Sequence, residues 1–168
     1  MKKDLYKEIE KVVVNIGVGR LAQDANFKDK ILPAIMEELA IITGQRPAPR
    51  PAKKSIAGFK VRAGTTVGLK VTIRRTRMKE FLEWLINIVI PRVRDFRGID
   101  HKAIDKQGNL TLGIKDNIVF PEINPEQAKI NFGMQITIVL KNIRNRSEAL
   151  AFYRALKMPL KKGDLKKD

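Results

Sequence analysis

The chain has 168 residues, carries 34 lysines and arginines against 18 aspartates and glutamates for a formal charge of +16, and contains no cysteine. Its 43% apolar content is enough to bury one core, so a single domain over residues 1–168 is expected and a disordered basic tail is excluded. Disulfides, thiolate metal sites and cysteine nucleophiles are also excluded, and the amino terminus lacks an apolar stretch long enough for a signal peptide or a membrane span, so a cytoplasmic chain with no membrane partner is expected.

Ile9 to Ile16 alternates, with Val12, Val14 and Ile16 on one face and Lys11, Val13 and Asn15 on the other, which predicts a half-buried strand closed by Gly17 and Gly19. Phe27, Ile31, Ile35, Leu39 and Ile42 fall at helical spacing. Pro33 must lie in the first turn of that helix or kink it, and Gly44 is placed to end it. Arg46 to Pro51 holds three prolines and two arginines, so it should be extended yet unable to serve as a central strand. Phe59 to Arg62 and Val67 to Arg75 read as a hairpin joined through Ala63-Gly64-Thr65-Thr66. In its second arm Val67, Leu69, Val71 and Ile73 share one face and Lys70, Thr72 and Arg74 the other.

Met78 to Ile90 predicts a buried helix with Phe81, Leu82, Leu85, Ile86 and Val89 as its stripe and Pro91 as its stop. Leu110, Leu112 and Ile114 alternate, as do Met134, Ile136, Ile138 and Leu140, giving two more strands. A last helix should begin at Ser147, acting as cap, and run through Leu150, Phe152, Tyr153 and Leu156, followed by a mobile basic tail over 161–168. Strands that alternate, rather than running continuously apolar, predict an α+β fold. Its antiparallel or mixed sheet would have helices packed on one face and the other face open for a ligand.

Charge distribution narrows the ligand. Between Leu39 and Lys79 there is no carboxylate, yet those 41 residues carry eleven lysines and arginines within a patterned segment. Solvated charged faces ordinarily mix both signs, so this block points to a polyanion, and nucleic acid is the default. Aromatic residues make up only 6%, which favours folded RNA read through backbone and shape over single strands read by stacking. Lysines and arginines would meet phosphates while Asn15, Gln45 and Thr72 could read 2′-hydroxyls or base edges.

Enzymatic readings have little material. Gly17-Val18-Gly19-Arg20-Leu21-Ala22 fits a loose dinucleotide fingerprint, but no helical pattern follows closely and no acidic residue is placed for a ribose. His101 is the only histidine and reads as a solvated loop residue, so no metal site is expected. Ser55 has no histidine near it in sequence. Glu37 and Glu38 read as the solvated side of a helix, and Asp95 as an ion-pair partner of Arg92, Arg94 and Arg97. No catalytic residue and no cofactor are assigned.

Six motifs then stand in order: Val13-Val14-Asn15-Ile16-Gly17-Val18-Gly19, Ile42-Thr43-Gly44-Gln45-Arg46-Pro47, Ala52-Lys53-Lys54-Ser55-Ile56-Ala57-Gly58-Phe59-Lys60, Pro91-Arg92-Val93-Arg94-Asp95-Phe96-Arg97-Gly98, Gly108-Asn109-Leu110-Thr111-Leu112-Gly113-Ile114 and Phe120-Pro121-Glu122-Ile123. Over about residues 9 to 160 the chain resembles the large-subunit ribosomal protein five family in its bacterial form. The resemblance implies a structural constituent of the large ribosomal subunit, placed in the central protuberance with neighbouring proteins there and bound to 5S and large-subunit ribosomal RNA. It implies that a loop around Lys53 to Val67, with Lys53, Lys54, Ser55, Arg62, Gly64, Thr65 and Thr66, approaches the transfer RNA of the peptidyl site, and that the protein bridges to a protein of the small-subunit head. It further assigns Asn15, Gln45 and Thr72 to 5S RNA. The basic residues expected beside them are Lys11, Arg46, Lys60, Lys70, Arg74, Arg75, Arg92, Arg94 and Arg97.

Three departures stand out. Family members usually carry a longer segment with a helix ahead of the first strand. Pro49-Arg50-Pro51 is richer in proline than their equivalent, which shifts an arginine by one place and stiffens the approach to the loop. The tail is longer or more basic than usual and takes no family role. A free regulatory RNA- or DNA-binding module is the alternative function, and a nucleotide-using enzyme or a peripheral membrane protein would need features the sequence does not supply.

Overall fold

The computed structural model describes residues 5–126, 130–143 and 145–161. Five strands form one antiparallel sheet: β1 (Ile9–Gly17), β2 (Ala48–Pro51), β3 (Thr66–Ile73), β4 (Leu110–Ile114) and β5 (Met134–Leu140), in the order β2-β3-β1-β5-β4. The helices are α1 (Leu32–Thr43), α2 (Arg75–Trp84), α3 (Ile90–Arg92) and α4 (Arg146–Ala155). The fold is α+β, as expected. Two compact units make up the chain. One comprises Met1–Val12, Arg74–Leu112 and Ile136–Asp168; the other comprises Val13–Ile73 and Gly113–Gln135.

In the second unit, β3 follows its alternation from Leu69 on, and β1 does so except at Val13, which was expected on the polar face with Asn15 and is buried. Val14, Ile16, Leu69, Val71 and Ile73 are buried while Asn15, Lys70 and Thr72 are half-buried. The amide of Val18 donates to Val67 O at 2.9 Å, so the end of β1 meets the start of β3. A π-helical turn, Phe27–Ile31, leads into α1, with Pro33 in its first turn, where a missing N–H costs nothing. Ile35 and Leu39 are fully buried, and α1 lies against β3. Gly44 at φ 64 closes the helix in the left-handed region that glycine enters freely.

The expected hairpin is corrected. β3 pairs not with 59–62 but with β2, antiparallel, in the register Ala48↔Lys70, Pro49↔Leu69 and Arg50↔Gly68, with an irregularity between Arg50 and Pro51. Ala48–Pro51 of the proline-rich segment form a wholly exposed edge strand, a position that tolerates missing donors. Residues 59–62 cannot extend, because Ala57–Phe59 forms a 3-10 turn and Lys60 is left-handed at φ 53. Only an isolated bridge, Ile56↔Val61, remains. β3 ends at Ile73, two residues earlier than the alternation suggested.

In the first unit, α2 starts at Arg75, before Met78, and helical geometry continues through a π-helical turn, Leu85–Val89, into α3. Pro91 therefore does not stop the helix at Ile90. It sits within the first two residues of α3, just after the wider turn, where the bond its nitrogen cannot make is not required. Leu82, Leu85 and Val89 are buried as predicted, whereas Ile86 is half-buried. α4 is preceded by Asn145 rather than capped by Ser147, whose hydroxyl is already inside the first turn. Leu150, Phe152 and Tyr153 bury its apolar face, and the Tyr153 hydroxyl donates to Gly108 O at 2.9 Å. Each such large side chain removed from water contributes about 1.5–3 kcal/mol. Lys161 N–H donates to Ile99 O at 2.9 Å, so that residue is held; the rest of the tail expected to be mobile, 162–168, lies outside the described residues.

Candidate nucleic-acid interface

The second unit brings together two of the three polar residues singled out for RNA. Gln45 follows the left-handed Gly44 and is half-buried, and its Nε2 donates to Thr72 O at 3.2 Å, while its own carbonyl accepts from Thr43 Oγ1 at 3.0 Å. Thr72 and Lys70 share the face of β3 opposite the core, and Asn15 holds the same kind of position on β1. These side chains are fixed because their neighbours in sequence are core residues: Val14 and Ile16 flank Asn15, and Val71 and Ile73 flank Thr72. Arg46 and Lys60 are exposed.

The loop after β2 is an ordered arch. Ala52 N–H donates to Thr65 O at 2.8 Å and Gly64 N–H to Ala52 O at 2.9 Å, closing its neck; Gly64 takes φ 85, which a larger residue resists. Higher up, Ile56 and Val61 exchange backbone hydrogen bonds, Ser55 Oγ accepts from Ala63 N–H at 2.8 Å, and Gln23 Nε2 donates to Phe59 O at 3.3 Å. Lys53, Lys54 and Arg62 are exposed around it. Ser55 thus braces the arch, Thr65 belongs to its neck, and Thr66 is the first residue of β3. The tip also shows Phe59 at 69% and Ile56 at 50% exposure, two apolar side chains that the sequence reading passed over. Their signal was their setting, between a Pro-rich edge and a glycine-led turn, where no core is within reach.

A groove of about 560 Å³ opens on the same unit, lined by Asn15 and Gly17 of β1, Arg50 of β2, Gly68 of β3, and Gly133 and Gln135 around the start of β5, among others. Arg50 and Gln135 were not singled out. Gln135 could have been, since it is, with Thr137, a polar member of an otherwise apolar run and the exposed one of the two.

Cations of the first unit are held differently. Glu10 accepts from Lys11 Nζ at 3.2 Å and from Arg74 Nη1 at 3.1 Å, so these two predicted phosphate contacts are already paired. Hydrogen bonds from Lys11 and then Arg74 hold the Glu10 carboxyl below its usual value. Arg75 is exposed, at φ 58. Arg92, the last residue of α3, and Arg94 and Arg97 on the segment after it are exposed, and that segment turns at Asp95 (φ 54) and Gly98 (φ 93). The expected pairing of Asp95 with these arginines is not formed among the described residues; an exposed pair in water has little to hold it together.

Three further expectations change. His101 is half-buried in a 3-10 turn, its carbonyl accepts from Arg146 Nη2 at 3.0 Å, and its Nε2 is buried without a partner, so it is not solvated. Glu38 is half-buried and accepts from Asn117 Nδ2 at 2.7 Å; burial pushes its carboxyl up, and the Asn117 bond partly opposes this. After Gly17 and Gly19 comes a three-residue 3-10 turn, Leu21–Gln23, so the glycines do not open a helix that could receive a pyrophosphate. Among the described residues no helix is long and apolar enough to cross a membrane, and no acidic or histidine cluster could hold a metal.

Two family profiles cover nearly the whole chain. The one described as ribosomal protein L5 matches residues 7–62, and the one described as the ribosomal L5P family C-terminus matches residues 66–160. Similar proteins include the large ribosomal subunit protein uL5 of Spiroplasma kunkelii, 47% identical across 95% of this chain and 92% of the relative. The uL5 proteins of Fusobacterium nucleatum and of Synechococcus are 45% and 48% identical, each across 92% of this chain, and 82% and 83% of those relatives are covered. With matched residues spanning both units, the chain belongs to the ribosomal protein L5 family.

Proposed function

We propose that this protein binds 5S ribosomal RNA in the central protuberance through the core-opposed faces of β1 and β3. The Gln45–Thr72 hydrogen bond carries the reading: it ties the side chain of Gln45, in the turn after α1, to the backbone of Thr72 on β3, and so joins two of the three residues that the resemblance assigns to 5S RNA. Family membership makes the chain a structural, non-enzymatic constituent of the large subunit of the cytoplasmic ribosome, partnered by ribosomal RNA and other ribosomal components. The acid-free block around Lys70 supports the finer assignment, because uncompensated cations on a fixed strand repel one another less once a phosphate lies between them.

The arch over residues 52–65 approaches the peptidyl-site transfer RNA, and the protein contributes to a bridge with the small-subunit head and contacts its neighbours in the central protuberance. Support for the arch is its closed neck and the brace above it, between which Lys53, Lys54 and Arg62 stand exposed. Footprinting of the purified protein on 5S RNA tests the first assignment. Protection confined to one region, lost when Thr72 is replaced by valine, is expected; protection spread evenly along the RNA would contradict it.

A further inference from the structure

α1 stands apart from the basic surface of the second unit. No lysine or arginine occurs from Ile31 to Gln45, although 34 of the 168 residues of the chain are basic. Apart from Pro33, Glu37, Glu38 and Thr43, the helix is built of leucine, isoleucine, methionine and alanine, so it is apolar on both of its sides. Ile35, Leu39 and Ile42 are buried, and α1 lies against β3. Pro33, Glu37 and Ile41, spaced four residues apart, form an exposed outward row, with Ile41 at 58% exposure. Ala34 and Ala40, each three residues from Glu37, are half-buried beside that row. A helix that is apolar all round is ordinarily covered all round, and this one is covered on one side only.

We propose that the outward face of α1 docks a second, basic protein of the large subunit, which lays an apolar side chain against Ile41 and a lysine or arginine on Glu37. This rests on the placement in the large subunit and gives one neighbour there a surface and a chemistry. Charge selects the occupant. RNA does not suit α1, because a phosphate backbone is held by cations and the helix offers two carboxylates and none. Proteins that hold RNA are basic for the same reason as this chain, so two of them meet with least repulsion where one leaves its cations out. Glu37 has no hydrogen bond or ion pair among the described residues, whereas Glu38 is taken by Asn117. The flanking alanines let a helix approach closely. Twelve helical residues span only about 18 Å, less than a self-sufficient interface needs, so the contact forms between proteins already gathered on one RNA, where their effective concentration is high.

The test uses the full chain with the photo-crosslinker p-benzoylphenylalanine in place of Ile41, assembled into large subunits freed of small subunits, irradiated and digested with ribonuclease. One adduct is expected, to a basic protein other than this chain. The same group in place of the exposed Arg46, beside Gln45, should attach to RNA and shows that the chemistry works. Glu37→Lys, at an exposed position that leaves the core untouched, should cut the protein adduct by about five- to ten-fold, because it sets two cations face to face. Glu37→Gln should cut it less, and neither change should alter the RNA adduct. At position 41 an adduct to RNA, to an acidic protein or to a second copy of this chain would overturn the docking face. So would no adduct there while position 46 still labels RNA, or an undiminished adduct from a Glu37→Lys chain that melts cooperatively. Each of these results leaves 5S binding intact. A protein adduct at position 41 without any RNA adduct at position 46 would instead count against the RNA reading and leave the docking face standing.

Discussion

Lys70 and Thr72 stand on a strand whose alternate residues are locked into a core, whereas Arg92 at the end of α3 and Arg94 and Arg97 beyond it are exposed where the chain turns through left-handed backbone at Asp95 and Gly98. Both regions are basic, but only the first holds its polar groups at fixed spacing with amides and a hydroxyl among the cations. The difference separates two contributions to RNA recognition. Loop cations follow phosphates wherever they lie and supply affinity to any polyanion, while strand-borne amides can be wrong for one RNA and right for another. Lys11 and Arg74 form a third case, two cations that share the single Glu10 carboxylate, which offsets one of their two charges and makes their contribution smaller than that charge suggests.

That contrast can be broken most severely at Asn15 or Thr72. Asn15→Ala or Thr72→Val should cost roughly 1–3 kcal/mol of affinity for 5S RNA and leave binding to a random duplex unchanged, measured by competition at fixed salt. Next in size, replacing Arg92, Arg94 and Arg97 together with alanine should weaken both RNAs equally. It should also flatten the salt dependence by at most about 0.7–0.9 per lost phosphate contact, read from affinity against salt concentration. Selective loss on 5S RNA by the loop variant would erase the distinction between the two regions. Glu10→Gln should do the opposite of a charge deletion. Lys11 and Arg74, freed of their partner, should tighten binding to any polyanion by about a few-fold at low salt and steepen the salt slope.

The smallest effect concerns stability. Burial raises the Glu38 carboxyl above its unfolded value of 4.5, so ionised Glu38 opposes folding at neutral pH and the opposition vanishes once the pH falls below 4.5. Glu38→Gln can still accept from Asn117. It should raise Tm by about 1 °C at pH 7, with the gain closing as the pH falls to 4, because the site is only partly shielded from water. A variant less stable at pH 7 would show that the charge itself is needed by Asn117.

Much of this fold is legible in the chain, and the failures have physical reasons. β4 and β5 declare themselves because apolar alternation leaves each a single way to face a core, while β1 is legible as a strand although Val12, Val13 and Val14 are all buried. Which strand β3 pairs with is not local information. The prolines at 49 and 51 disqualify β2 only as a central strand, and the left-handed Lys60 that spoils the competing arm leaves no mark in a side-chain pattern. Pro91 misleads for a related reason: a proline ends a helix unless a wider turn precedes it, and Leu85–Val89 is apolar either way. At the site, Asn15 and Thr72 are readable as polar members of apolar strands. The Glu10 contacts are not, because Arg74 and Glu10 meet only when β1 and the end of β3 lie side by side.

The central claim is that polar groups held in place on and beside β1 and β3, within an acid-free block of cations, recognise one folded RNA. Direct competition between a 5S transcript and a size-matched unrelated RNA for the purified chain, at moderate ionic strength, tests it. The account predicts a clear preference for 5S RNA that Thr72→Val removes; equal affinity for both RNAs, from a protein that melts cooperatively, would contradict it.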